Sequence, residues 1–199
     1  KGGYSFTSSC ADFSESNSCK FTCPEGYIYS NNKCSLEIDE TNAFVSIWNV
    51  ESGMELTIPL DEYSSDWSLY YTKRTHQFNF TVDWGDGTIS HVTSFNDLDK
   101  THTYTTTGTV KIKIIGTLEG LGQFDASVRE NLIKVENLGD LGYRDLEKTF
   151  SGAVNLVSFK GGNTSKVKSM KSLFSGIANI DDFDLSTFDT SSVKDMTGM

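Results

Sequence analysis

Residues 150–159 read Phe150-Ser151-Gly152-Ala153-Val154-Asn155-Leu156-Val157-Ser158-Phe159, and the phrase returns 24 residues later as Phe174-Ser175-Gly176 and Asn179-Ile180-Asp181-Asp182-Phe183. It is foreshadowed 24 residues earlier by Asn131-Leu132-Ile133-Lys134-Val135. A second phrase, Thr164-Ser165-Lys166-Val167-Lys168-Ser169-Met170, returns at a spacing of 26 as Thr190-Ser191-Ser192-Val193-Lys194-Asp195-Met196. A fixed period in the twenties marks units that cannot each bury an apolar face alone and therefore stack on their neighbours. Stacks of this kind mostly present surfaces to partners, which points to binding before any catalytic residue is considered.

Each unit divides in the same way. A short extended piece carries apolar residues at its first and fourth positions: Leu132/Val135, Leu156/Phe159 and Ile180/Phe183. A polar Thr/Ser stretch follows. Val167, Met170, Leu173 and Phe174 then form one apolar stripe at helical spacing, matched one unit earlier by Tyr143, Leu146 and Phe150. Strand, loop, short helix and turn in 24–26 residues is the leucine-rich-repeat plan, an α/β solenoid. Strand alternation then turns two columns outward, Lys134/Ser158/Asp182 and Glu136/Lys160/Asp184, the candidate binding face.

Upstream, from Phe44 to Ile115, the pattern is short strands and turns with no helical stretch between them. Phe78, Phe80, Val82 and Trp84 alternate onto one face, Gly85-Asp86-Gly87 supplies a tight turn, and Val110, Ile112 and Ile114 alternate inward again. This predicts a β-sandwich. Val82-Asp83-Trp84-Gly85-Asp86-Gly87-Thr88, Thr101-His102-Thr103-Tyr104 and Thr107-Gly108-Thr109-Val110 together resemble the signature of PKD (polycystic-kidney-disease) domains. The resemblance implies an immunoglobulin-like sandwich with Trp84 in its core and a structural Gly-Asp-Gly turn.

The repeats resemble those of BspA-like bacterial surface proteins, carried by Asp184-Leu185-Ser186-Thr187-Phe188-Asp189-Thr190-Ser191-Ser192-Val193-Lys194-Asp195-Met196. The likeness extends upstream to residue 43 through the order of its motifs, from Phe44-Val45-Ser46-Ile47-Trp48 to Ile115-Gly116-Thr117. Two departures stand out: Ala153 and Ile177 follow the Phe-Ser-Gly turns where that family often has cysteine, and a cysteine-rich head precedes the repeats.

That head holds all four cysteines, Cys10, Cys19, Cys23 and Cys34. A Ser/Asn-rich segment with few aromatics builds no core, so the cysteines are expected to staple it as disulfides, with three pairings open. A Cys₄ zinc site is the rival, but only Cys19 and Cys23 have knuckle-like spacing. The expected domains are residues 1–38, a disulfide-stapled segment; 39–118, a PKD-like sandwich; and 119–199, a truncated array of BspA-like repeats.

A net charge of −10 excludes nucleic acid as a partner, which needs a basic footprint, and disfavours an anionic membrane. No apolar run of 18 residues occurs, so no membrane insertion is expected. The chain reads as part of a longer precursor, its array continuing past Met199. No cofactor or metal is implied; Ca²⁺ is the one ion the acidic balance leaves open, and no ligand pattern supports it. His76, His91 and His102 lie in strand or turn contexts, and Asp86 is placed to cap its own turn. No nucleophile elbow, phosphate loop or His-Glu-x-x-His motif is present, so no enzyme is expected. Asn79-Phe80-Thr81 and Asn163-Thr164-Ser165 are N-glycosylation sequons.

The expected function is a secreted or cell-surface adhesin, non-catalytic, whose partners are an extracellular protein, matrix or a cell-surface glycan. The alternatives are a structural spacer or stalk, and an accessory binding module of a secreted hydrolase.

Overall fold

A computed structural model describes residues 27–30, 33–36, 38–63, 74–178 and 180–199. The chain divides into two compact units, residues 1–37 and 38–199. In the first, strands β1 (Tyr27–Ser30) and β2 (Lys33–Leu36) form an antiparallel hairpin that pairs Tyr27 with Leu36 and Tyr29 with Cys34. Cys34 is the one cysteine among the described residues; Cys10, Cys19 and Cys23 lie outside them, and the expected disulfides with them.

The second unit is built on one mixed sheet. Its strands are β3 (Phe44–Val50), β5 (Phe78–Asp83), β6 (Ile89–Val92), β8 (Gly108–Leu118), β9 (Leu132–Asn137), β10 (Ser158–Lys160) and β11 (Asp182–Asp184), in the order β11-β10-β9-β3-β8-β5-β6. The pairs β9–β10 and β10–β11 are parallel and the others antiparallel. A separate two-stranded ribbon joins β4 (Glu55–Thr57) to β7 (Thr101–Thr103). The only helical pieces among the described residues are 3₁₀ turns at Leu98–Lys100 and Arg129–Asn131.

This corrects the expected multidomain order of an immunoglobulin-like sandwich followed by an α/β leucine-rich-repeat solenoid. The first correction concerns strand pairing. β3 pairs with β8 on one side and with β9 on the other, so the edge that would end a sandwich sheet instead seats the first repeat. The pairing absorbs two register shifts, at Val45/Ser46 and Ile47/Trp48. Such irregularities bend a strand and re-aim its side chains. Among the described strands of this unit, only the β4–β7 ribbon stands outside the main sheet. Tyr104, just after β7, donates its hydroxyl to the Trp84 carbonyl at 3.0 Å, and the His102 ring stacks on Trp84 at 5.1 Å.

The second correction concerns the helix. The N–H groups of Leu146, Lys148, Phe150 and Gly152 donate across to the carbonyls of Ser169, Lys171, Leu173 and Ser175 in the next coil. Those of the intervening Thr149, Ser151 and Ala153 donate to carbonyls three residues back. Each backbone N–H is one donor, so none of these is left for the i→i−4 ladder of an α-helix. Lys148 and Ser172 occupy the left-handed region, at φ 60° and 54°, and Gly198 holds the same place one coil on, at φ 68°. A left-handed residue breaks a right-handed helix.

The repeat therefore advances as a stack of coils with parallel pairing on two sides. On the sheet side Lys134, Ser158 and Asp182 are neighbours in register. On the other side isolated bridges join Gly120, Asp145, Ser169 and Asp195 in turn. One apolar core runs through the unit, from Phe44, Trp48, Trp84 and Ile112 to Leu132, Val135, Phe159 and Leu173. Phe159 lies at its centre in the coils, with ring centroids 4.9–6.1 Å from those of Phe150, Phe174, Phe183 and Phe188.

Candidate functional site

The sheet buries one face, and charge collects on the other. Within β8, Ile112 and Ile114 are buried, whereas Lys111 and Lys113 point away from the core. In β9, Leu132 and Val135 are buried and Lys134 and Glu136 exposed. In β10 only Phe159 is buried. Lys111 reaches over β3 to Glu136, Nζ to Oε2 at 2.7 Å, and lies 3.5 Å from Glu40; Lys113 meets Glu40 at 2.7 Å. Hydrogen bonding from Lys113 holds Glu40 below the usual carboxylate range, and Glu136 raises Lys111. These pairs are partly exposed and add little stability. Their consequence is an ordered strip of ionised groups. Beyond it the column of Lys134, Ser158 and Asp182 continues to the β11 edge, with Ser158 Oγ 3.4 Å from Asp182 Oδ2. Hydrogen bonds from the Ser186 hydroxyl and amide hold Asp184 ionised, below its ordinary pKa.

At the carboxyl ends of β9 and β10 this face opens into a cleft of about 690 Å³. Of the expected face, Glu136 and Lys160 line it, joined by Glu40, Thr41, Asn42, Asn137, Asp140, Asn163 and Thr187. Lys134, Ser158, Asp182 and Asp184 stay outside it. The walls are fixed by their own hydrogen bonds. Asn137 Nδ2 donates to the carbonyls of Glu40 and Thr41 at 2.7 and 3.0 Å, while its Oδ1 accepts from the Gly139 amide. Asn163 Nδ2 donates to Asp140 Oδ2 at 2.9 Å, and Asn163 Oδ1 accepts from Ser165. The Asp140 amide donates to the Asn42 carbonyl. Asn163, singled out in sequence as a sequon, is thus a wall residue. No local pattern marks Glu40 or Thr187, because the cleft joins segments about a hundred residues apart in sequence.

The histidines and the Gly-Asp-Gly turn lie elsewhere. Asp86 Oδ1 accepts from the Thr88 amide at 2.9 Å and from its hydroxyl at 2.6 Å; Oδ2 lies 2.8 Å from His102 Nε2. Burial opposes ionisation of Asp86, but these hydrogen bonds outweigh it and lower its pKa. Thr88 Oγ1 also faces His102 Nε2, at 3.4 Å. A proton relay needs the carboxylate on one ring nitrogen and the hydroxyl on the other. Here both meet the same nitrogen, so the arrangement serves as a turn clasp. His76 Nδ1 lies 2.7 Å from the Asp61 carbonyl, and His91 Nδ1 lies 3.2 Å from the Thr81 hydroxyl. Among the described residues no cluster of His, Cys, Asp and Glu is arranged to hold a metal, and no helix is long and apolar enough to cross a membrane.

Residues 143–199, less than a third of the chain, match the family described as Mycoplasma protein of unknown function, DUF285. No curated protein and no solved structure matches the chain. The matched stretch contains β10, β11 and the coil bridges through Asp145, Ser169 and Asp195.

Proposed function

We propose that the chain is a non-catalytic binding module of an extracellular or cell-surface adhesion protein. One observation carries this reading: a sheet anchored by a continuous core turns a fixed strip of charged and polar side chains outward, ending in a cleft of mixed polar and apolar lining. The resemblance to BspA-like surface proteins supports it, and the partners it implies are an extracellular protein, matrix or a cell-surface glycan. A rigid scaffold with ordered walls limits the conformational entropy lost when a partner docks.

The rival role of spacer or stalk draws on the same rigidity, since a continuous sheet would also hold a neighbouring domain at a fixed distance. Charge reversal separates the two. Beads carrying the full chain are titrated against cultured cells and immobilised matrix proteins, beside a Lys134→Glu/Lys160→Glu/Asp182→Lys/Asp184→Lys variant. A binding face should lose at least about tenfold in affinity, the equivalent of a few weakened contacts. Equal retention by both chains would favour the spacer, and absence of any binding would overturn the adhesive reading.

A further inference from the structure

We propose that the cleft at the ends of β9 and β10 is a binding site for a neutral oligosaccharide; this names the ligand class for the adhesive reading above and rests on it. The cleft has the size of a small-ligand site, about 690 Å³ against roughly 300–1,000 Å³ in general. Its lining mixes carboxylates, amides, hydroxyls and one ammonium with apolar surface in about equal share, Val45 and Gly161 among the apolar contributors. A wholly apolar ligand would leave these carboxylates and amides without partners. A polyhydroxylated ligand instead offers donors and acceptors in alternation, as the walls do.

The charge balance selects among such ligands. Glu40 and Glu136 are each neutralised by a lysine ammonium 2.7 Å away. What remains on the walls is one carboxylate, Asp140, and one ammonium, Lys160, which balance. An acidic glycan would meet the Asp140 carboxylate on a chain of net charge −10. A basic peptide would compete with Lys111 and Lys113 for partners already paired. A neutral sugar pays neither electrostatic penalty.

The hydrogen-bonding capacity fits as well. A carboxylate offers about four lone-pair sites. Asp140 commits Oδ2 to Asn163 at 2.9 Å and keeps further acceptor positions for hydroxyl donors. The dyad is fixed before a ligand arrives, because Asn163 Oδ1 is held by Ser165. Lys160 supplies donors from the facing strand, and Thr187 closes the wall from the next coil.

The full chain is titrated calorimetrically with neutral tetrasaccharides of glucose, galactose, mannose and N-acetylglucosamine, with tetragalacturonate, and with tetralysine. Thr187→Trp, at an exposed wall position, fills the cleft, and Lys160→Ala removes its ammonium. At least one neutral tetrasaccharide should bind, each variant should weaken it by about tenfold or more, and both charged probes should bind at least about tenfold more weakly. Failure of every neutral tetrasaccharide, preference for either charged probe, or an affinity unchanged by both variants would overturn the proposal. Should Thr187→Trp not melt like the parent, Lys160→Ala decides alone. Loss of sugar binding alongside adhesion that still responds to charge reversal sinks this inference only; loss of both sinks the adhesive reading too.

Discussion

Replacing Phe159 by alanine is expected to lower the unfolding free energy by about 3–5 kcal/mol, the cost of truncating a large side chain in a packed core. For a domain of this size that lowers Tm on the order of 10 °C. Phe159 has no exposed surface, and its ring contacts span all three coils: Phe150 in the first, Phe174 in its own, Phe183 and Phe188 in the third. Collapse around the void is opposed by parallel pairing on both sides, since Phe159 pairs with Val135 and Phe183. Phe183→Ala is the control. It occupies the equivalent position one coil later but is 43% exposed, so truncation removes less buried area and should cost about 1 kcal/mol. Guanidinium unfolding of the two variants measures the difference, and equal costs would contradict the stacked arrangement.

Gly139→Ala is expected to cost about 3 kcal/mol or more, the sum of a left-handed backbone and an overpacked joint. Gly139 has φ +75°, and a Cβ there would lie 2.5 Å from the Ala43 carbonyl and 2.6 Å from the Asn42 oxygen. These are backbone atoms at the entrance to β3, so no side chain can swing aside. The same glycine accepts the Asn163 amide at 2.8 Å, which ties the first coil to the second. Gly53→Ala isolates the conformational part: φ is +87° and nothing lies within 4 Å. It should cost only about 1 kcal/mol. If the two substitutions proved equally mild in chemical denaturation, the close seating of β3 against the coils would be wrong.

The inward residues were readable because burial follows simple periods. Leu132, Val135, Leu156 and Phe159 recur at fixed offsets and are fully buried, as are Phe80, Val82 and Trp84 in alternation. The outward column of Lys134, Ser158 and Asp182 follows from the 24-residue offset, which becomes the register of a parallel sheet. The apolar stripe suggests a helix for a definite reason. Apolar residues at Val167, Met170 and Leu173 fit a helix and a run of i→i−3 turns equally well. What decides is the left-handed backbone at Lys148 and Ser172, where neither residue is a glycine; the cue stood one coil later, at Gly198. The sandwich expectation fails because alternation reveals which face of a strand is buried, not which strand lies beside it. Pairing of β3 with β9 joins residues some ninety positions apart. The cleft was hidden for the same reason, although two of its residues, Glu136 and Lys160, stood on the expected face.

The binding face can act as a single surface only if the coils and the upstream strands fold as one body. Besides the β3–β9 pairing, Glu119 at the end of β8 ties them, accepting from Arg144 Nε at 2.7 Å and from the Gln77 amide at 3.0 Å. The most direct measurement is guanidinium unfolding of the full chain carrying Trp67→Phe, followed in parallel by tryptophan fluorescence, which then reports the buried Trp48 and Trp84, and by hydrogen exchange of amides in the coils, Leu146 to Gly152 and Val157. One coincident transition is the expected result. Loss of protection in the coils at a denaturant concentration that leaves Trp48 and Trp84 native would show two independent bodies and contradict the continuous sheet.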